Sequence, residues 1–82
     1  IDIANIINEH TDANDTVLDI GANDGSLLEG VSKDRVRVGC EPAPNLWDKL
    51  KDNCDIMVPE MWDHKYLDQK AKAIKCERSI DR

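Results

Sequence analysis

The chain has 82 residues, a formal net charge of −6, and an apolar fraction of 40 % that includes no Phe. A chain of this length builds one small core, here an aliphatic one, and its acidity argues against nucleic acid and anionic membranes as partners. Cys40, Cys54 and Cys76 form an odd set without C-x-x-C spacing, which argues against a disulfide framework and a metal site.

The first ten residues place Ile3, Ile6 and Ile7 on one helical face, with Asn and Glu opposite. The segment TDAND then reads as a loop. TVLDIG is nearly continuously apolar, as a strand covered on both faces should be. After a glycine turn, Leu27, Leu28 and Val31 share a helical stripe that Asn23 or Asp24 can cap. RVRVGCE alternates, with Val36, Val38 and Cys40 on one side, and reads as a second strand. PAPNLWDKLKDN reads as a helix entered through Pro44, striped by Leu46, Trp47 and Leu50 and ended by Asn53. CDIMVP is a third strand closed by Pro59. EMWDHKYLDQKAK reads as a loop and short helix, and Ala71–Cys76 as a weak fourth strand.

Strands alternating with helices predict an α/β fold with a parallel sheet and helices packed on its faces. Cys40 and Cys54 lie in apolar runs and are expected to be buried. Reduced thiols, with no signal peptide and no membrane-length apolar run, point to the cytoplasm.

The stretch VLDIGANDGSLLEG carries the chemistry. A strand that ends in a glycine turn and feeds a helix is a frame for nucleotide binding. The dinucleotide fingerprint needs glycines at its first, third and sixth positions, where this chain has Gly21, Asn23 and Ser26. The P-loop lysine is missing, and the calcium loop needs an acid where Ile20 stands. What remains is acid-x-G-x-x-x-G, formed by Asp19, Gly21 and Gly25, with Glu41 directly after the next strand. Asn23-Asp24-Gly25 is also ordinary turn chemistry; the acid before it and the acid after the second strand favour a cofactor site. A terminal carboxylate such as Glu41 can accept hydrogen bonds from both hydroxyls of a ribose. His10 and His64 have no partner at ligand or triad spacing, and Ser26 has no His in useful context.

This pattern resembles the first motif of the class I S-adenosylmethionine-dependent methyltransferases, [DE]-x-G-x-G-x-G, with Asn23 in place of the middle glycine. GANDGSLL followed by GCEPAPNL, and then WDHKYLDQKAKAI, is similar to the branch containing sugar C-methyltransferases. The resemblance implies a Rossmann-like, doubly wound sheet in the order 3-2-1-4 and S-adenosyl-L-methionine as cofactor. It implies a cofactor site at Asp19, Gly21, Ala22, Asn23, Gly25, Glu41, Pro42, Ala43 and Met61, with Asp19 near the methionine amino group and Glu41 on the ribose. The expected function is the cofactor-binding half of a methyltransferase, residues 1–82, acting on a small molecule such as a sugar or sugar nucleotide and inactive alone. No residue here is placed as the general base. A non-catalytic nucleotide-binding module of the same fold and a structural or partner-binding fragment are the alternatives. In the implied fold the fourth strand is central, so an uncovered edge there leads us to expect a homo-oligomer.

Overall fold

The computed structural model describes residues 2–62 and 74–75. In chain order these form α1 (Ile3–His10), β1 (Thr16–Ile20), α2 (Ser26–Glu29), β2 (Val36–Cys40), a 3-10 turn (Pro44–Leu46) running into α3 (Trp47–Asn53), β3 (Ile56–Val58) and β4 (Ile74–Lys75). The expected alternation of strand and helix is present. β1, β2 and β3 pair in parallel, with Leu18 opposite Val38 and Val38 opposite Ile56.

The helices pack on one face of this sheet. Leu28 of α2, Leu50 of α3 and Met57 of β3 are fully buried, and Ala4, Ala22, Val31 and Cys54 complete the core, with Val17 and Trp47 half-buried against it. Each large aliphatic side chain so buried contributes about 1.5–3 kcal/mol. Gly39 lets both helices press on β2, because a Cβ there would lie 2.7 Å from Leu50 Cδ1 and 3.3 Å from Leu28 Cδ1. Cys40 and Cys54 are buried thiols, as expected. Side chains alternate along a strand, so Leu18 and Ile20 stand on the other face, where they remain 39 % and 54 % exposed.

The structure corrects the strand order. β4 pairs antiparallel with β3, Met57 opposite Ile74, and the order is 1-2-3-4. The 3-2-1 part of the expected order holds, but the fourth strand lies beside β3 instead of β1. An antiparallel neighbour needs only a return along the adjacent edge, whereas a place beside β1 needs a crossover spanning two strands. Among the described residues β1 therefore has a neighbour on one side only, and the open edge belongs to it. The predicted loop and helix of the EMWDHKYLDQKAK segment fall mostly outside the described residues, as does Cys76.

A second correction concerns α1. It docks through Ala4, Ile7 and Asn8, while Ile3 and Ile6 are 56 % and 45 % exposed. Asn8, expected on the polar face, instead donates from Nδ2 to the Gly30 carbonyl (3.0 Å) and accepts the Ser32 N–H (2.8 Å). Asp2 caps the start of α1 by accepting the Asn5 N–H at 3.2 Å. The buried Arg35 guanidinium holds its other end, donating to the carbonyls of Asn8 (3.1 Å) and Thr11 (2.7 Å). A cation there also offsets the negative end of the helix.

Arg37 and Asp55 form a buried ion pair under the helix face. Arg37 Nη2 and Nε donate to the Asp55 carboxylate at 3.1 and 3.2 Å, and the Arg37 N–H adds a third bond at 2.8 Å. The pair ties the start of β2 to the loop entering β3, at the opposite end of the sheet from the glycine turn.

Candidate functional site

The turn from Gly21 to Gly25 sits where β1 and β2 end. It contains three left-handed residues, Gly21 (φ 74°), Asn23 (φ 55°) and Gly25 (φ 84°). Glycine meets this conformation without strain, and Asn tolerates it better than most residues. Gly25 has a second reason to be glycine: a Cβ there would lie 2.7 Å from Asn53 Cβ and 3.1 Å from Leu50 Cδ1. Asn53 clamps the turn further, its Nδ2 donating to the Asp24 carbonyl at 2.9 Å. Gly21 is different. A Cβ built there would meet nothing within 4 Å, so its surroundings are open to an approaching ligand.

The turn folds its donors inward. The N–H groups of Gly21 and Ala22 both donate to the Cys40 carbonyl (2.8 and 3.0 Å), and that of Gly25 donates to Ala22 (3.0 Å). The Asn23 N–H donates to Glu41 Oε1 (2.9 Å), and the Ser26 N–H to Asp24 Oδ1 (3.0 Å). The Ser26 hydroxyl bonds the same Asp24 oxygen at 2.6 Å, and this bond is the largest cause of the lowered Asp24 pKa. Asp24 thus closes a local turn onto the first residue of α2, whose N-cap is Gly25 and not the expected Asn23 or Asp24. With the N–H groups of Gly21, Ala22, Asn23 and Gly25 committed, and with α2 only four residues long, the turn offers little to a phosphate, which binds through free N–H groups.

Glu41 holds the site together. It is 6 % exposed, and its second oxygen, Oε2, accepts the Ala43 N–H at 3.0 Å. One carboxylate therefore fastens the turn after β1 to the loop after β2. An ionised carboxylate has about four lone-pair sites, so each oxygen retains capacity for one further donor. Trp47 reinforces the arrangement, its indole N–H donating to the Glu41 carbonyl at 2.7 Å.

Asp19 is half-buried beside this carboxylate. Burial raises its pKa, and the charge of Glu41 raises it further. Neither acid is in an ion pair among the described residues. Asn23 folds its Nδ2 onto the Gly21 carbonyl at 3.2 Å, which leaves its side-chain oxygen as an acceptor at the exposed mouth of the turn.

Of the residues expected at the site, Asp19, Gly21, Asn23, Gly25, Glu41 and Ala43 gather at one end of the sheet. Ala22 is placed there too, but its side chain is in the core and its N–H is committed. Pro42 is exposed on the loop after β2. Met61 is 72 % exposed. Its loop is tethered to the same end of the sheet by Cys40, whose Sγ–H donates to the Glu60 carbonyl at 3.0 Å. Burial, then the charges of Glu41 and Glu60, pushes the Cys40 thiol up. Asn53 and Trp47 are the contributors that sequence reasoning missed. Asn53 reads only as a helix end and Trp47 only as a core stripe; each acts on the site through a single polar atom.

Among the described residues no group of three or more His, Cys, Asp or Glu side chains is placed to hold a metal ion. No helix among them is long and apolar enough to cross a membrane. No family model, curated protein or solved structure matches the chain.

Proposed function

We propose that the chain binds S-adenosyl-L-methionine and forms the cofactor-binding part of a methyltransferase acting on a small molecule, with a sugar or sugar nucleotide as the acceptor class suggested by its motif resemblance. The observation that carries this reading is the inward-donor, outward-acceptor character of the glycine turn. A cradle for NAD or ATP needs free N–H groups for phosphate. Here the N–H groups of Gly21, Ala22, Asn23 and Gly25 are already bonded, while two carboxylates and the open side of Gly21 face the same end of the sheet. That suits a ligand without phosphate that carries ammonium and sulfonium charge and ribose hydroxyls.

In this reading Glu41 accepts from the ribose hydroxyls with its remaining lone pairs while keeping the turn in shape. Asp19 faces the ligand ammonium, and Gly21 permits close approach of the ligand to the backbone. When bound, the cofactor supplies an electrophilic methyl group; attack by an acceptor nucleophile breaks the S–CH3 bond, the electron pair stays on sulfur as a neutral thioether, and the acceptor loses its proton. What the residues of this chain contribute is binding and orientation. Isothermal titration with S-adenosylmethionine, S-adenosylhomocysteine, NAD and ATP tests the proposal: the first two should bind in preference to the others. Tighter binding of NAD or ATP would overturn it in favour of a nucleotide-binding module.

A further inference from the structure

Asp24–Gly25 is the one place in the sequence where an Asp or an Asn precedes a Gly. A glycine has no side chain to shield its amide nitrogen from the carboxyl before it, and its backbone is free to bring the two together. The chemistry open to such a pair is ring closure. The Gly25 nitrogen attacks Asp24 Cγ, a C–N bond forms, and the acid hydroxyl leaves as water with the amide proton, giving a cyclic imide. Water then opens the imide at either carbonyl, breaking the C–N bond to it. Opening at Cγ restores aspartate. Opening at the Asp24 main-chain carbonyl leaves the chain running through Cβ and Cγ, as isoaspartate.

In the folded chain every group this reaction needs is engaged elsewhere. The Gly25 N–H donates to the Ala22 carbonyl at 3.0 Å. Asp24 Oδ1 accepts the Ser26 hydroxyl at 2.6 Å and the Ser26 N–H at 3.0 Å. The Asp24 main-chain carbonyl accepts Asn53 Nδ2 at 2.9 Å, and Asn53 Cβ packs where a Gly25 side chain would stand. The Ser26 hydroxyl also lowers the Asp24 pKa, and an ionised carboxylate has no hydroxyl to release. We propose that Asp24–Gly25 is a spontaneous isomerisation site held shut by Ser26 and Asn53, so that isoaspartate accumulates there as the turn opens. Local opening costs less than global unfolding, so the site is reached without unfolding the chain. The product inserts a backbone carbon among the left-handed residues Asn23 and Gly25, which prevents the same bonds from re-forming. None of this depends on what the turn binds.

The experiment incubates the unmodified chain at neutral pH, native and in guanidinium chloride, and locates isoaspartate by peptide mapping with electron-transfer fragmentation. In denaturant Asp24 should isomerise faster than every other Asp of the chain. In the native chain the same site should react at least about tenfold more slowly, because only the opened fraction is competent. Ser26→Ala and Asn53→Ala should each raise the native rate several-fold and leave the denatured rate unchanged. The rise should exceed what the shift in each variant's denaturation midpoint accounts for. A denatured rate at Asp24 no higher than at the other Asp residues would overturn the site. Equal native and denatured rates would overturn its protection by the fold. Native rates unchanged in both variants would remove Ser26 and Asn53 from the role. If a variant fails to fold, the two rates of the unmodified chain still decide.

Discussion

The Asn23 N–H donates to Glu41 Oε1 at 2.9 Å across a sequence separation of 18 residues, joining the turn after the first strand to the end of the second. The same carboxylate accepts from Ala43 at 3.0 Å. Glu41 is thus part of the scaffold as well as of the candidate site.

That changes what its removal should do. A strand-end position alone suggests that truncating Glu41 spares the fold. Glu41→Ala instead leaves two part-buried N–H groups without their acceptor, at about 1–3 kcal/mol each. We expect a loss of about 2–4 kcal/mol in urea denaturation, a large fraction of the stability of a domain this small, together with loss of cofactor binding. An unchanged urea midpoint would show that the two bonds carry no net stability.

The two turn glycines should separate structure from binding. Gly25→Ala combines a left-handed backbone with overlap onto Asn53 and Leu50. Gly21→Ala incurs only the backbone strain, about 1–2 kcal/mol, because the space around it is open. Gly25→Ala should therefore cost more stability, while Gly21→Ala should lose ligand affinity out of proportion to its stability. A Gly21→Ala chain that binds normally would make the turn a corner and nothing more.

Much of this was readable in the sequence, and the failures have physical causes. The parallel strands and the helices between them follow from apolar runs punctuated by glycine and proline, which are local signals. The docking face of α1 is not legible as an apolar stripe because its anchors are Ala4 and Asn8. A buried alanine adds little to an apolar stripe, and an asparagine reads as surface until its partners Gly30 and Ser32 arrive from another element. The same applies to Arg37, which looks like the solvent side of an alternating strand and is buried because Asp55 waits 18 residues downstream. The place of β4 depends on which sheet edge is within reach, and residue pattern does not encode that. At the site, the glycines and the two acids were legible as a motif. Whether their N–H groups point in or out was not, because it depends on a carbonyl at Cys40 and a carboxylate at Glu41.

The Arg37–Asp55 pair gives a stability prediction far from the site. Both side chains are almost wholly buried and triply bonded. Asp55→Ala strands a buried guanidinium and should cost about 3–5 kcal/mol. Asp34→Ala removes an exposed partner of Arg35, which keeps its carbonyl acceptors, and should cost about 1 kcal/mol or less. Paired thermal melts of the two variants check the contrast, and comparable losses would contradict it.

Asp19 and Asp24 should leave opposite marks on the acid limb of stability. The Asp19 pKa is raised by burial and by Glu41, so the folded state binds its proton more tightly than the unfolded chain. Stability from this group falls as pH rises from the unfolded pKa through the folded one. The Asp24 pKa is lowered, chiefly by Ser26. Its contribution is present above the unfolded pKa and is lost as pH falls through the folded one. Asp19→Asn should therefore leave the chain as stable or more stable at neutral pH, while Ser26→Ala should flatten the acid-side loss. Urea midpoints between about pH 3 and 6 bracket the unfolded carboxylate values. A neutral-pH loss in Asp19→Asn would show that its carboxylate has a stabilising partner.

The last prediction concerns self-association, which the strand order relocates. The open edge is that of β1, which among the described residues pairs only with β2. The same strand shows Leu18 and Ile20 on the face away from the helices, and parallel sheets are ordinarily covered on both faces. An uncovered edge beside exposed aliphatic side chains is prone to pair with another copy. The net charge of −6 opposes this, more strongly at low salt, where repulsion is unscreened. Association should therefore grow with added NaCl. Ile20→Lys places a charge on the exposed face without opening the core; it should abolish association while changing stability by about 0.5 kcal/mol or less. Sedimentation velocity at two salt concentrations reads both effects. A monomer at high micromolar concentration in high salt, or association that survives Ile20→Lys, would remove β1 as the contact.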